Sequence, residues 1–196
     1  MNTPNRLSVL RVIMAPLYLL LLLLDFPFHY IIAALMFVAA SITDYFDGRI
    51  ARTQGLVTNF GKFLDPLADK MLTTAAFLGF LASGHLDVWA VMLILAREFM
   101  VTSVRLIAAK DGVVVAASMA GKSKTVAQYI AIIYMMAALE FSTWKSTLLS
   151  GLSLPEQAYT LPLSIGRVFI WVSVILTLIS GIQYVWQLRR YFKDSL

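Results

Sequence analysis

The sequence predicts an all-α integral membrane protein, a single domain over residues 1–196 built as a bundle of six transmembrane helices. Three observations carry that prediction. The chain is 60% apolar and only 14% charged, with a mean hydropathy of +0.79, far from the balance of a water-soluble domain. Six apolar segments come near the roughly 20 residues that a bilayer crossing needs, at 7–24, 30–50, 64–83, 88–109, 125–141 and 165–188. Lys and Arg are concentrated in alternate connections, the pattern that fixes the orientation of a polytopic chain.

Taken in order, the first segment continues to Leu24 without a small-residue cleavage site and is read as a retained helix. Pro27 closes it. The second and third segments carry aspartates only at the ends that face each other, and Ser83-Gly84 closes the third. The fourth holds Arg97 and Glu98 near its middle and stops at Asp111-Gly112. Ser150-Gly151 and Pro155 mark a longer connection, 142–164, read as a loop before the sixth segment. Tyr184, Trp186 and Tyr191 near the end of the sixth suit an interfacial aromatic belt. Ala33, Ala34, Ala39 and Ala40 permit close helix packing. His29 and His85 stand alone in short turns and are read as interfacial polar residues, because a histidine metal site needs clustered ligands.

Arg6, Arg11, Arg49, Arg52, Lys62, Lys110, Lys122, Lys124, Arg189, Arg190 and Lys193 all fall on one side of this topology, and the opposite connections are poor in Lys and Arg. Both termini and the aspartates are therefore expected to face the cytoplasm. The net charge of +5 is explained by this asymmetry and by attraction to anionic lipid, and no nucleic-acid motif is present. With no cysteine, neither a disulfide framework nor a thiolate metal site is available.

The chemistry concentrates between Asp44 and Asp69. Asp44 and Asp47 are spaced i, i+3 and Asp65 and Asp69 i, i+4, so on helices each pair shares a face. Carboxylates at the edge of hydrocarbon are costly and are kept with partners. Hard oxygen donors suit Mg²⁺, and four of them exceed the need of one ion. Two ions would make the clamp that stabilises the attacking and leaving oxygens in phosphoryl transfer. Gly48 and Gly61 beside the pairs would let a pyrophosphate approach the backbone, and Arg52 offers a planar multi-donor group for phosphate. Thr58, with Asn59, either caps the third helix or donates to substrate. Pro66 either follows a cap at Asp65 or lies within a helix that starts near Thr58.

The complete pattern, D-x2-D-G-x2-A-R-x8-G-x3-D-x3-D, resembles the signature of the CDP-alcohol phosphatidyltransferases. That resemblance implies a six-helix, usually homodimeric membrane enzyme whose substrates meet at the cytoplasmic side. It implies that Asp44 and Asp65 bridge two metal ions (Mg²⁺, with Mn²⁺ as an alternative), that Asp47 completes one site and Asp69 the other, and that Asp69 is the catalytic base. It further implies that Gly48, Arg52 and Thr58, with Ala51 and Gly61 completing the motif, and the N-terminal Pro4, Asn5, Arg6 and Leu7 hold CDP-diacylglycerol.

The acceptor is addressed outside the signature. Arg97 sits deep in the fourth segment, where an unpaired guanidinium costs about 2.5–3.5 kcal/mol on insertion scales. Glu98, adjacent in sequence, points about 100° away and is not an automatic partner. Arg105 lies two turns on, roughly on the face of Arg97, and Lys122 and Lys124 open the fifth helix on the same side. Together the four cations would bind the phosphate of an acceptor. The strings T-P-N-R-L-S-V-L-R, G-K-F-L-D-P-L-A-D-K, A-R-E-F-M-V-T-S-V-R and G-K-S-K-T are similar to bacterial family members that use glycerol 3-phosphate, which places the expected enzyme in a bacterial cytoplasmic membrane. The competing readings are a family member using inositol phosphate, phosphatidylglycerol or serine, and a cation transporter with the aspartates on an ion path.

Overall fold

The alternation of apolar runs with short polar connections resolves into six α-helices: α1 (Thr3–Leu23), α2 (His29–Gln54), α3 (Asn59–Ala82), α4 (Val88–Lys110), α5 (Met119–Thr143) and α6 (Gln157–Ser195). The computed structural model describes residues 3–54, 59–110, 119–145, 148, 151 and 155–195, and no strand occurs among them. The shortest helix, α1, has 21 residues. At 1.5 Å per residue it is about 32 Å long, close to the thickness of a bilayer's hydrocarbon core.

Over the described residues, α5 and the Gln157–Trp186 portion of α6 are long and apolar enough to cross a membrane. Val9–Leu23, His29–Thr43 and Lys70–Ala82 are shorter apolar stretches of α1, α2 and α3. The membrane character of the bundle is also visible outside it. Every helix exposes large apolar side chains, among them Leu17, Leu35, Leu78, Trp89, Ile130 and Ile182, a surface that would aggregate in water and that hydrocarbon covers.

Helix α1 packs on α3 and α2, α5 on α6 and α2, and α4 bridges α6 and α3. The core between them is built from Tyr18, Phe37, Phe77, Phe80, Ile132, Met135, Met136 and Ile170. Phe37 joins two of these interfaces, its ring 5.9 Å from Tyr18 and 5.3 Å, edge-on, from Tyr129. The Tyr18 hydroxyl, deep in apolar surroundings, donates to Met136 Sδ at 3.2 Å. On α6 the buried face is polar but small: Ser173 and Thr177 return their hydroxyls to the carbonyls of Ile170 and Ser173. That satisfies them without a second helix and lets α5 approach, with Gln128 Nε2 donating to Thr177 at 3.2 Å.

The helix ends follow local chemistry. Gly84 has φ of 73°, and the amides of Gly84 and His85 close onto Leu81 and Phe80, a Schellman stop at the predicted Ser83-Gly84 break. Helix α3 begins at Asn59 and runs through Pro66, so a start at Asp65 does not hold. The sixth helix begins at Gln157, eight residues before the expected start. The 142–164 connection is therefore partly helical, and α6 carries Pro162 as its sixth residue, where the missing N–H leaves out one intrahelical bond. His29 is buried. It holds the α1–α2 turn, with Nδ1 2.8 Å from the Phe26 carbonyl and its ring against Tyr30.

Candidate active site

The carboxylate stretch lies on two helices. Asp44 and Asp47 fall within α2, and Asp65 and Asp69 within α3. Helical backbone at both places keeps the i, i+3 and i, i+4 pairs each on one face. Gly48, Ala51 and Arg52 share α2 with the first pair, Gly61 precedes the second pair on α3, and Pro4, Asn5, Arg6 and Leu7 form the opening turns of α1. The side chains of all these positions, and Thr58 entirely, lie outside the described residues. The donor set fits divalent cations that prefer hard oxygen.

The cations expected to meet an acceptor do converge. Arg97 and Arg105 from α4 and Lys122 and Lys124 from α5 line one cavity of about 600 Å³, together with Lys70 of α3 and Tyr184 of α6. Helix periodicity explains the arginines: eight residues apart, they share a face, and each guanidinium stands 5.7 Å from the Tyr184 ring. Lys122 and Lys124 sit in the first two turns of α5, where unpaired backbone amides add positive partial charge and no acidic residue occupies the first turn. Cations at that end of a helix are unfavourable without an anion, and for Lys124 the Glu98 carboxylate supplies one.

Glu98 is Arg97's partner after all, with Arg97 Nη1 3.3 Å from Glu98 Oε1. The long guanidinium arm crosses the 100° between neighbouring helical positions. The same carboxylate also pairs with Lys124 and, through Oε2 at 3.4 Å, with Lys70. Tyr184 does not belong to an interfacial belt. It is buried between Arg97 and Arg105, whereas Trp186 is exposed and carries Arg189 over its ring at 4.4 Å.

Lys70, the last residue of the G-K-F-L-D-P-L-A-D-K string, carries no assigned role in the sequence, yet it links α3 to α4 beside the cavity. It follows Asp69 directly on α3, and its ammonium reaches the Glu98 carbonyl at 3.3 Å and the Thr102 hydroxyl. The signal available for it was adjacency to an aspartate of the signature. Ser180, which takes a hydrogen bond from Arg97 Nη2, gave no signal of its own. Beside the polar cavity lies an apolar one of about 350 Å³ between α1, α3 and α4, and Lys70 lines both.

A family model described as CDP-alcohol phosphatidyltransferase matches residues 1–179. The chain is 38% identical over 195 residues to a CDP-diacylglycerol–glycerol-3-phosphate 3-phosphatidyltransferase of Bacillus subtilis, covering 93% of each chain. It is 37% identical over 191 residues to a protein of the same name from Rickettsia bellii, with 97% of each chain covered. A third, from Sodalis glossinidius, is 33% identical over 197 residues, with 97% of this chain and 96% of the relative covered.

Proposed function

The chain belongs to the CDP-alcohol phosphatidyltransferase family, and from that premise we propose that it transfers the phosphatidyl group of CDP-diacylglycerol to glycerol 3-phosphate. The products are phosphatidylglycerophosphate and CMP. The observation that carries the choice of acceptor is the meeting of Arg97, Arg105, Lys122 and Lys124 around one cavity beside α3. A phosphate-bearing alcohol needs such a cavity; serine or a neutral alcohol does not. The names of the relatives point to the same acceptor.

In this reading Asp44, Asp47, Asp65 and Asp69 hold two Mg²⁺ ions, or Mn²⁺ in their place, and Asp69 is the catalytic base. When bound, the ions neutralise phosphate charge on donor and leaving group. Asp69 takes the proton of the acceptor hydroxyl. The acceptor oxygen then bonds to the lipid-side phosphorus of CDP-diacylglycerol, and the bond from that phosphorus to the CMP oxygen breaks. Arg97, Arg105, Lys122 and Lys124 grip the acceptor's own phosphate, so its hydroxyl is delivered in one orientation rather than by random encounter. Pro4, Asn5, Arg6, Leu7, Gly48, Ala51, Arg52, Thr58 and Gly61 hold the CDP-lipid.

All six helices are read as crossing a bacterial cytoplasmic membrane, with both termini and the site on the cytoplasmic side, as the Lys/Arg asymmetry supports. Family resemblance supports a homodimer. The test is CMP release from CDP-diacylglycerol by purified protein with Mg²⁺. Glycerol 3-phosphate should be used far faster than inositol phosphate, phosphatidylglycerol or serine; equal or better turnover of one of those would overturn the acceptor assignment.

A further inference from the structure

The cavity that receives the acceptor phosphate contains a carboxylate, which is the wrong charge for that task. Among its described lining residues, Lys70, Arg97, Arg105, Lys122 and Lys124 face the single anion Glu98. Glu98 cannot recognise a phosphate dianion directly, since the two repel. Its oxygens are also already engaged: Oε1 with Arg97 and Lys124, and Oε2 with Lys70. These three cations come from three helices, α4, α5 and α3.

Burial makes the arrangement consequential. Arg97, Glu98 and Lys124 are only 6%, 8% and 5% exposed, so water does little to screen repulsion between the guanidinium and the ammonium groups. Without a shared anion the cations would separate as far as their arms allow, and the phosphate would meet a dispersed charge rather than a fixed cradle. The Glu98 backbone contributes as well, its carbonyl accepting from Thr102 Oγ1 at 2.7 Å and from Lys70 Nζ. Lys70 is thus tied to α4 by both the side chain and the main chain of one residue. Because Lys70 is the residue after Asp69, the tie fixes the register of the acceptor cavity against the helix that carries the signature aspartates.

We propose that Glu98 is the positioning residue of the acceptor site, a resident counter-ion that holds Lys70, Arg97 and Lys124 in one array so that a phosphate-bearing acceptor finds its cations in place. This rests on the acceptor reading given above. It assigns Glu98 no contact with either substrate.

The test compares Glu98→Gln and Glu98→Asp with wild type in membranes, varying glycerol 3-phosphate at saturating CDP-diacylglycerol and the reverse. Gln keeps the shape but loses the charge, so the acceptor KM should rise about tenfold or more while the CDP-diacylglycerol KM stays within about twofold. Asp keeps the charge on a shorter arm and should recover most of the lost acceptor affinity. An unchanged acceptor KM in Glu98→Gln overturns the proposal, as does an equal rise in both KM values, which would mark a general packing role. If Glu98→Gln fails to accumulate, Glu98→Asp carries the test, with a smaller rise confined to the acceptor KM supporting the proposal and any other pattern overturning it. The wild-type acceptor preference is measured first: preference for an unphosphorylated alcohol sinks the functional reading, whereas the Glu98 variants judge this inference alone.

Discussion

Gly181 on α6 leaves the space through which the Arg97 side chain passes: a Cβ at Gly181 would stand 2.9 Å from Arg97 Cγ. Carbon atoms pack at about 3.5–4.0 Å, so any side chain here must push the guanidinium stem away from Ser180 and Tyr184. The atom struck is near the root of Arg97, where yielding is difficult. Gly181→Val is therefore expected to raise the acceptor KM about tenfold or more, and Gly181→Ala by less, with the CDP-diacylglycerol KM little changed. Steady-state CMP release with each substrate varied in turn checks this, and an unaltered acceptor KM in Gly181→Val would show that the position of Arg97 does not matter to the acceptor.

If Asp69 is the base, Asp69→Asn should lower kcat by about 10²–10⁴-fold, the usual contribution of general base catalysis. Because the same residue is assigned to a metal, chelation should silence the wild type too, and added Mg²⁺ should restore it. Full activity in Asp69→Asn would place the base elsewhere, while activity that survives exhaustive chelation would remove the metal from the reading.

What is legible in the sequence is the helical placement of residues a turn or two apart. Asp44 with Asp47, Asp65 with Asp69, and Arg97 with Arg105 all follow from helical spacing, and the Gly84 stop follows from a conformation that side chains avoid. What was hidden depends on contacts between distant segments. Glu98 faces Lys70 and Lys124 only because α3 and α5 flank α4 there. An aromatic residue near a helix end reads as an interfacial anchor unless one knows which face it presents, and the face of Tyr184 is decided by the arginines of α4. The early start of α6 is obscured for a different reason: Pro155, Pro162 and several polar residues together resemble a loop, yet Pro155 lies before the helix and α6 runs through Pro162.

His85, in the α3–α4 connection, is half-buried, and its imidazole is held below the ordinary histidine range by burial and then by the nearby Arg167 guanidinium. Both causes disfavour the charged form. The unfolded chain therefore binds this proton more readily than the folded one, so the stability contribution is complete above about pH 6.5. It is lost as the pH falls through the lower folded value. Thermal unfolding in detergent should show wild type losing stability between pH 7.5 and 5.5 more steeply than His85→Gln, by about 1–2 °C given the partial exposure. Identical slopes for the two proteins would remove His85 as the cause.

Tyr184 offers a way to separate ring from hydroxyl in the acceptor cavity. Its face lies 5.7 Å from both Arg97 and Arg105, and a cation–π contact contributes about 0.5–1 kcal/mol at exposed sites and about 2 kcal/mol when desolvated. The ring also spaces the two guanidinium groups, which would otherwise repel each other across the cavity. Tyr184→Phe preserves both effects and should leave the acceptor KM within about threefold of wild type. Tyr184→Leu removes the π face while keeping an apolar filler, and should raise the acceptor KM by about 3–30-fold. The comparison is informative because the two variants make opposite cases. If Phe is as damaging as Leu, the hydroxyl rather than the ring is what the site uses, and Arg97 is held by its ion pair with Glu98 and its hydrogen bond to Ser180.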